Sequence, residues 1–292
     1  MKRFVVLGNI LRKVRVQAIV DGAKKFGLEP LFYRVGDEEG LKSLLSKHEV
    51  AFGVSVGMRA SDAYAKGFLE AKGINTLILD LGYFSRSKGP ADEIGYNQLG
   101  INRLCWIAPI DVSSDRLDKH GIKFQEPAKA NGTALVLGQV PGDTQHGLTP
   151  GDLKAWLMHK IGELAASGFR LEYRPHPKAS KFMAHYKGKL FDKVHLHTVA
   201  TLEQNINAAS HVLTYNSTAG LTALCMGRHV ISSNVAHFHG LETQKEIYTH
   251  MCRVAYSQWN CEELRSGQAL EFMSQFDKRF IGLDNDVTSL VA

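Results

Sequence analysis

The chain has 292 residues, 44% of them apolar and 22% charged, and a formal net charge of +6. This length allows two domains, each with its own core, and the composition excludes a disordered tail or a low-complexity tract. No run of about 18 apolar residues occurs, so no membrane-spanning helix is expected.

The pI near 9.0 suits an anionic substrate, a nucleotide or a nucleic acid, and does not choose among them. Cys105, Cys225, Cys252 and Cys261 are scattered without CxxC spacing. Reduced thiols and a cytoplasmic location are therefore expected. The basic start Met1-Lys2-Arg3 is like the flank of a signal peptide. The apolar run that follows stops at Gly8 and soon meets Arg12, Lys13 and Arg15, so it reads as a first buried strand.

In chain order, Phe4 to Leu7 is predicted as a strand, Val14 to Phe26 as a helix stopped by Gly27, and Leu31 to Val35 as a second strand. A short helix over Leu41 to Lys47 and a strand over Val50 to Val56 follow. A helix then runs from Ser61 through Ala71, and Thr76 to Leu81 forms a nearly all-apolar strand, as a parallel sheet covered on both faces requires. From about Gly82 to Asn131 the periodicity fades. Long irregular stretches of this kind are more often functional or interdomain than idle, which places the lobe boundary between Ser113 and Asn131. The alternation restarts with a strand over Thr133 to Leu137 and a helix from Gly151 to Ala166 opened by Thr149-Pro150. It continues with a strand at Arg170 to Tyr173, a helix over Thr201 to Ala209 and a strand at His211 to Thr214. A helix from Ala219 to Met226, ended by Gly227, leads to a strand at His229 to Ile231. Strand alternating with helix is the pattern of doubly wound α/β domains. The expected division is an N-terminal lobe over 1–120 and a C-terminal lobe over 121–292.

Three loops fall at the carboxyl ends of predicted strands, where open α/β sheets collect ligands. Gln139-Val140-Pro141-Gly142-Asp143 puts a carboxylate on a Pro-Gly turn. It is either an ordinary turn aspartate or a general base or nucleophile. Arg174-Pro175-His176-Pro177 stiffens a histidine between two prolines, with Arg174 and Lys178 adding positive charge. It is either a plain turn or a donor to a phosphate oxygen. Tyr215-Asn216-Ser217-Thr218-Ala219-Gly220 joins strand to helix, where hydroxyls and free N–H groups either cap the helix or receive a phosphate. His195/His197 and His237/His239 are loose pairs that either ligate a metal or are polar positions on one strand face or loop; without a fuller ligand cluster no metal site is expected.

The order QxxxD, RPHP, NST and Gly-x-x-Val-Ile resembles the capsule polysaccharide biosynthesis glycosyltransferases, which include retaining β-Kdo transferases. The matching residues are Gln139, Asp143, His176, Pro177, Asn216, Ser217, Thr218, Gly220 and Gly227, and the resemblance covers roughly 133–235. It implies a GT-B-like fold of two Rossmann-like doubly wound lobes with the active site in the cleft between them. It implies Asp143 as catalytic carboxylate, with His176 and the Ser217/Thr218 hydroxyls on the donor phosphate. Arg174, Lys178, Pro177, Gln139, Asn216 and Gly220 would complete the donor side. A nucleotide sugar, UDP- or CMP-linked, would be the co-substrate, with neither cofactor nor metal. No DxD pair stands at a strand end.

Asp80-Leu-Gly-Tyr-Phe-Ser-Arg and Ser114-Asp115-Arg116-Leu look like bacteriophage-encoded relatives of the same fold. By that analogy the acceptor would be a hydroxymethylated pyrimidine in double-stranded DNA, inside the host cytoplasm. Tyr83, Arg86, Lys88, Arg103, Trp106 and Arg116 mix aromatics with cations and are the acceptor-side candidates; the alternative is a basic loop with one core Trp. Arg12, Lys13 and Arg15 either contact DNA phosphates or sit solvated on a helix. A capsule or envelope glycan is the alternative acceptor. A nucleotide-sugar epimerase or an idle nucleotide-binding module is the alternative class.

Overall fold

The computed structural model describes residues 3–7, 13–34, 36–57, 60–85, 97–100, 102, 105–178, 194–196 and 200–276. The chain divides into two compact units. The first is Met1–Ile101, Cys105–Ile110 and Val254–Ala292; the second is Asn102–Leu104 and Asp111–Arg253.

The first unit begins with β1 (Arg3–Leu7), α1 (Lys13–Lys24), β2 (Glu29–Phe32) and α2 (Glu38–Lys47), followed by β3 (Val50–Val56), α3 (Ala60–Ala71), β4 (Thr76–Leu81) and β5 (Asn97–Leu99). Residues 4–7 are all buried because alternate side chains serve two cores. Phe4 and Val6 join Ile19, Phe52, Leu77 and Leu79 on one face, while Val5 and Leu7 join Leu41, Ala65 and Leu69 on the other. Strands β2, β1, β3 and β4 run parallel, in that spatial order.

The second unit holds α4 (Asp115–Lys119), β6 (Thr133–Leu137), α5 (Pro150–Ala166), β7 (Arg170–Arg174), β8 (Val194–Leu196), α6 (Leu202–Ala208), β9 (His211–Leu213), α7 (Ala219–Cys225), β10 (His229–Ile231) and most of α8 (Gln244–Ala255). Its sheet is parallel throughout, in the order β10-β9-β6-β7-β8. The strand order reverses between β6 and β9, and such a switch point opens a crevice beyond the strands' carboxyl ends. Strand β6 again splits its residues, Ala134 and Val136 to one core, Leu135 and Leu137 to the other.

The elements after α8 return to the first unit. They are β11 (Gln258–Trp259), α9 (Cys261–Ser266) and α10 (Gln268–Ser274). Strand β11 pairs antiparallel with β5, which pairs antiparallel with β4. Trp259, Cys261, Leu264, Ala269, Leu270 and Met273 complete the core around Phe4 and Ile19. Helix α9 lies so close to α1 that a Cβ on Gly22 would stand 2.1 Å from the Leu264 carbonyl oxygen. The expected lobe of 121–292 thus differs from the unit found, because the apolar residues of 259–273 fill the other core. Strand β5 and helix α4 also lie within the stretch whose periodicity had faded.

Two Rossmann-like doubly wound units are what the alternation of the sequence implied. Among the described residues, no helix is long and apolar enough to cross a membrane.

Candidate functional site

The loops after β6 and β9 flank the switch point of the second unit and are bolted together. Gln139, 7% exposed, donates from Nε2 to Asn216 Oδ1 at 2.9 Å and accepts the Asn216 N–H at its Oε1 at 3.0 Å. Asn216 is 1% exposed. Its Nδ2 donates to the Gln145 carbonyl at 2.9 Å, and its own carbonyl accepts from Asn102 Nδ2 at 3.1 Å. The Asn102 N–H in turn donates to Gln145 Oε1 at 2.9 Å. Buried amides satisfied in this way rigidify what they join. Gln139 and Asn216, expected on the donor, are therefore internal braces of the two loops.

Asp143 projects from the turn after β6 and is half-buried. One carboxylate oxygen accepts the Gln145 N–H at 3.0 Å, which fixes the side chain while the second oxygen retains acceptor capacity. Buried His146 staples the base of this turn. Its Nε2 lies 2.8 Å from the Val140 carbonyl and its Nδ1 accepts the Leu148 N–H at 3.0 Å, so both ring nitrogens are committed to structure.

Beyond β7, Arg174 donates to Asn205 Oδ1 and to the Ala200 carbonyl, pinning the strand end to the start of α6. His176 is half-buried, and its Nδ1 accepts the Lys178 N–H at 3.1 Å. With Nδ1 accepting, the neutral ring carries its proton on Nε2, the donor tautomer a phosphate oxygen needs. Pro177 and Lys178 are exposed.

In the third loop, Ser217 and Thr218 are half-buried. Thr218 stands at the N-cap of α7 without a side-chain capping bond; instead Ser217 Oγ accepts the Ala219 N–H at 3.3 Å. The N–H groups of Ser217 and Gly220 go to Thr214 Oγ1 and the Ser217 carbonyl. The expectation of free backbone N–H groups here is thereby corrected at Ser217, Ala219 and Gly220: the tight turn consumes them. Gly220 is a packing residue, since a Cβ there would stand 2.6 Å from the Phe238 ring.

Arg86, Lys88 and Arg103 fall outside the described residues, as do Arg12 and the side chain of Lys13. Tyr83 and Arg116 are 7% and 6% exposed, and Trp106 packs against the first unit's core with Phe272 at its edge. Tyr83 and Arg116 are thus buried and Trp106 is half-buried against that core, because the chain folds its apolar and stem surfaces inward at these points. Arg116 belongs to the second unit, on α4, and Arg15 is 2% exposed rather than solvated.

Sequence reasoning overlooked Asn102, Gln145 and Thr214, whose Oγ1 donates to Gln139 Oε1 at 3.4 Å, since nothing local marks partners 43 to 114 positions away. It also overlooked Gln258, whose fully buried Oε1 accepts the N–H groups of Tyr83 and Phe84 at 2.7 and 3.0 Å. The histidine pair found is His237 with His250, not His239: Nδ1 and Nε2 lie 2.9 Å apart and the rings stack. Burial, then the neighbouring His250, pushes His237 down to about 3. Burial, then Arg253, pushes His250 to about 4. Burial drives the Cys105 and Cys225 thiols up to about 11 and about 12, which removes both as nucleophiles at neutral pH. Among the described residues, no three His, Cys, Asp or Glu side chains cluster to hold a metal ion.

No protein-family model matches the sequence, and no curated protein matches it. Solved structures do match in fold. One is a β-Kdo 2,4 transferase, KpsC of Thermosulfurimonas dismutans, with TM-score 0.58 and 13% identity over 88% of this chain and 92% of that one. Another is a β-Kdo 2,7 transferase, KpsC of the same organism, with TM-score 0.53 and 14% identity over 93% and 99%.

Proposed function

We propose that the chain is a glycosyltransferase whose second unit holds a nucleotide-linked sugar, UDP- or CMP-linked, for transfer to a hydroxyl acceptor. One observation carries this reading. Asp143, His176 and Ser217 leave from the carboxyl ends of β6, β7 and β9, around the sheet's switch point, with two of the three loops locked by Gln139 and Asn216. The likeness in fold to two sugar transferases supports it.

In this reading Asp143 meets the anomeric carbon, as nucleophile if configuration is retained or as general base if it is inverted. His176 donates from Nε2 to the departing phosphate, joined by the Ser217 and Thr218 hydroxyls. Arg174 and Lys178 add positive charge beside it, so that the leaving group is stabilised electrostatically without a metal. The N-terminal unit would serve the acceptor. Asp143→Ala is expected to lower transfer by more than about 100-fold while nucleotide binding persists. Near-wild-type turnover in that variant would overturn the assignment.

For the acceptor we favour a hydroxymethylated pyrimidine in duplex DNA, on the strength of the +6 charge and of Arg86, Lys88 and Arg103. A capsule or envelope glycan is the competing acceptor, favoured by the likeness to the two β-Kdo transferases. Duplex binding that weakens steeply with salt supports the first; indifference to DNA supports the second. Isomerisation of a nucleotide sugar with no acceptor present would point to an epimerase instead.

A further inference from the structure

The loop after β10, residues 232–240, lies beyond the motifs that marked the other three loops, yet it is fastened to the same edge of the sheet. The N–H and Oγ of Ser233 both donate to the Tyr215 carbonyl, at 2.9 and 2.8 Å. Phe238, 2% exposed, fills the space left by the missing side chain of Gly220. On its other side the loop is tied to α8 by the His237–His250 contact. Two consecutive turns, Ala236 N–H to Ser233 O at 3.1 Å and His239 N–H to Ala236 O at 2.9 Å, then carry the chain to His239.

His239 is exposed, and its Nδ1 lies 3.2 Å from Oγ of buried Ser232. When the serine hydroxyl donates to Nδ1, the ring proton sits on Nε2, and Nε2 is a donor in the protonated ring as well. His176 is prepared in the same way, with the Lys178 N–H on its Nδ1. In the sheet order β10-β9-β6-β7, the two histidines follow the outer strands, and the loops of Ser217 and Asp143 follow the inner pair. An anion held over the inner loops would therefore be approached from both flanks by an imidazole whose other nitrogen is already occupied.

We propose that His239, oriented by Ser232, is a second anion-contacting residue of the donor site, donating from Nε2 to a phosphate oxygen of the nucleotide. This inference rests on the donor-site reading above. Ser232 is a positioning residue and touches no ligand.

The test is isothermal titration of UDP and CMP, and of uridine and cytidine, into wild type, His239→Ala, His239→Gln and Ser232→Ala. His239→Ala is expected to weaken the bound nucleotide about tenfold while leaving nucleoside affinity unchanged, because the nucleoside has no phosphate to lose. His239→Gln, which keeps an outward N–H donor, is expected to recover most of that loss, and Ser232→Ala to fall between. Unchanged nucleotide affinity in His239→Ala would overturn the inference alone, as would an equal loss for nucleotide and nucleoside. Binding of neither nucleotide by wild type would overturn the donor-site reading and this inference with it.

Discussion

Lowering the pH should destabilise the second unit through His237 and His250. Their folded values of about 3 and about 4 lie below the ordinary histidine value of about 6.5. Between those limits the unfolded chain binds more protons than the folded one, so stability rises with pH across the window and levels off above it. At pH 5 each ring stays neutral in the fold while its unfolded counterpart is charged. The cost is about 1.5 pH units at about 1.4 kcal/mol each, or about 2 kcal/mol per ring and about 4 kcal/mol for the pair. Against a total stability of about 5–15 kcal/mol this is a large share. The assay is urea denaturation at pH 7.5 and pH 5, for wild type and for the double variant His237→Leu/His250→Leu. Wild type should lose about 4 kcal/mol more than the double variant over that interval. Equal losses in the two proteins would refute a pair kept neutral by burial.

Two further substitutions probe packing, one in each unit. Gly220→Ala should cost about 1–3 kcal/mol, because its Cβ would meet the Phe238 ring at 2.6 Å; a thermal melt equal to wild type would show that the ring yields freely. In the first unit, Gln258→Leu strands the buried N–H groups of Tyr83 and Phe84. It should cost about 1–3 kcal/mol and speed amide exchange at those two residues, whereas unchanged protection there would count against the Gln258 anchor.

Much of the scaffold is legible from local pattern. The apolar runs at Val50–Val56, Thr76–Leu81 and Thr133–Leu137 are strands with the bounds their composition implies, since a strand buried on both faces has little choice of residue. The same reading places Asp143, His176 and Ser217 in loops at strand ends, because Pro, Gly and Ser/Thr announce turns wherever they follow an apolar run. The partners of those loops are another matter. Gln139 and Asn216 look like ligand residues by their motifs, and only the adjacency of β6 and β9 turns them toward each other. The tertiary structure also decided that 254–276 would return to the first unit, that Trp106 would pack against its core and Arg116 be buried, and that Phe238 would hold the 232–240 loop against α7. Periodicity says which face of an element is buried, through interactions within a few residues. Which element covers that face depends on strand order, and therefore on contacts between residues far apart in the chain.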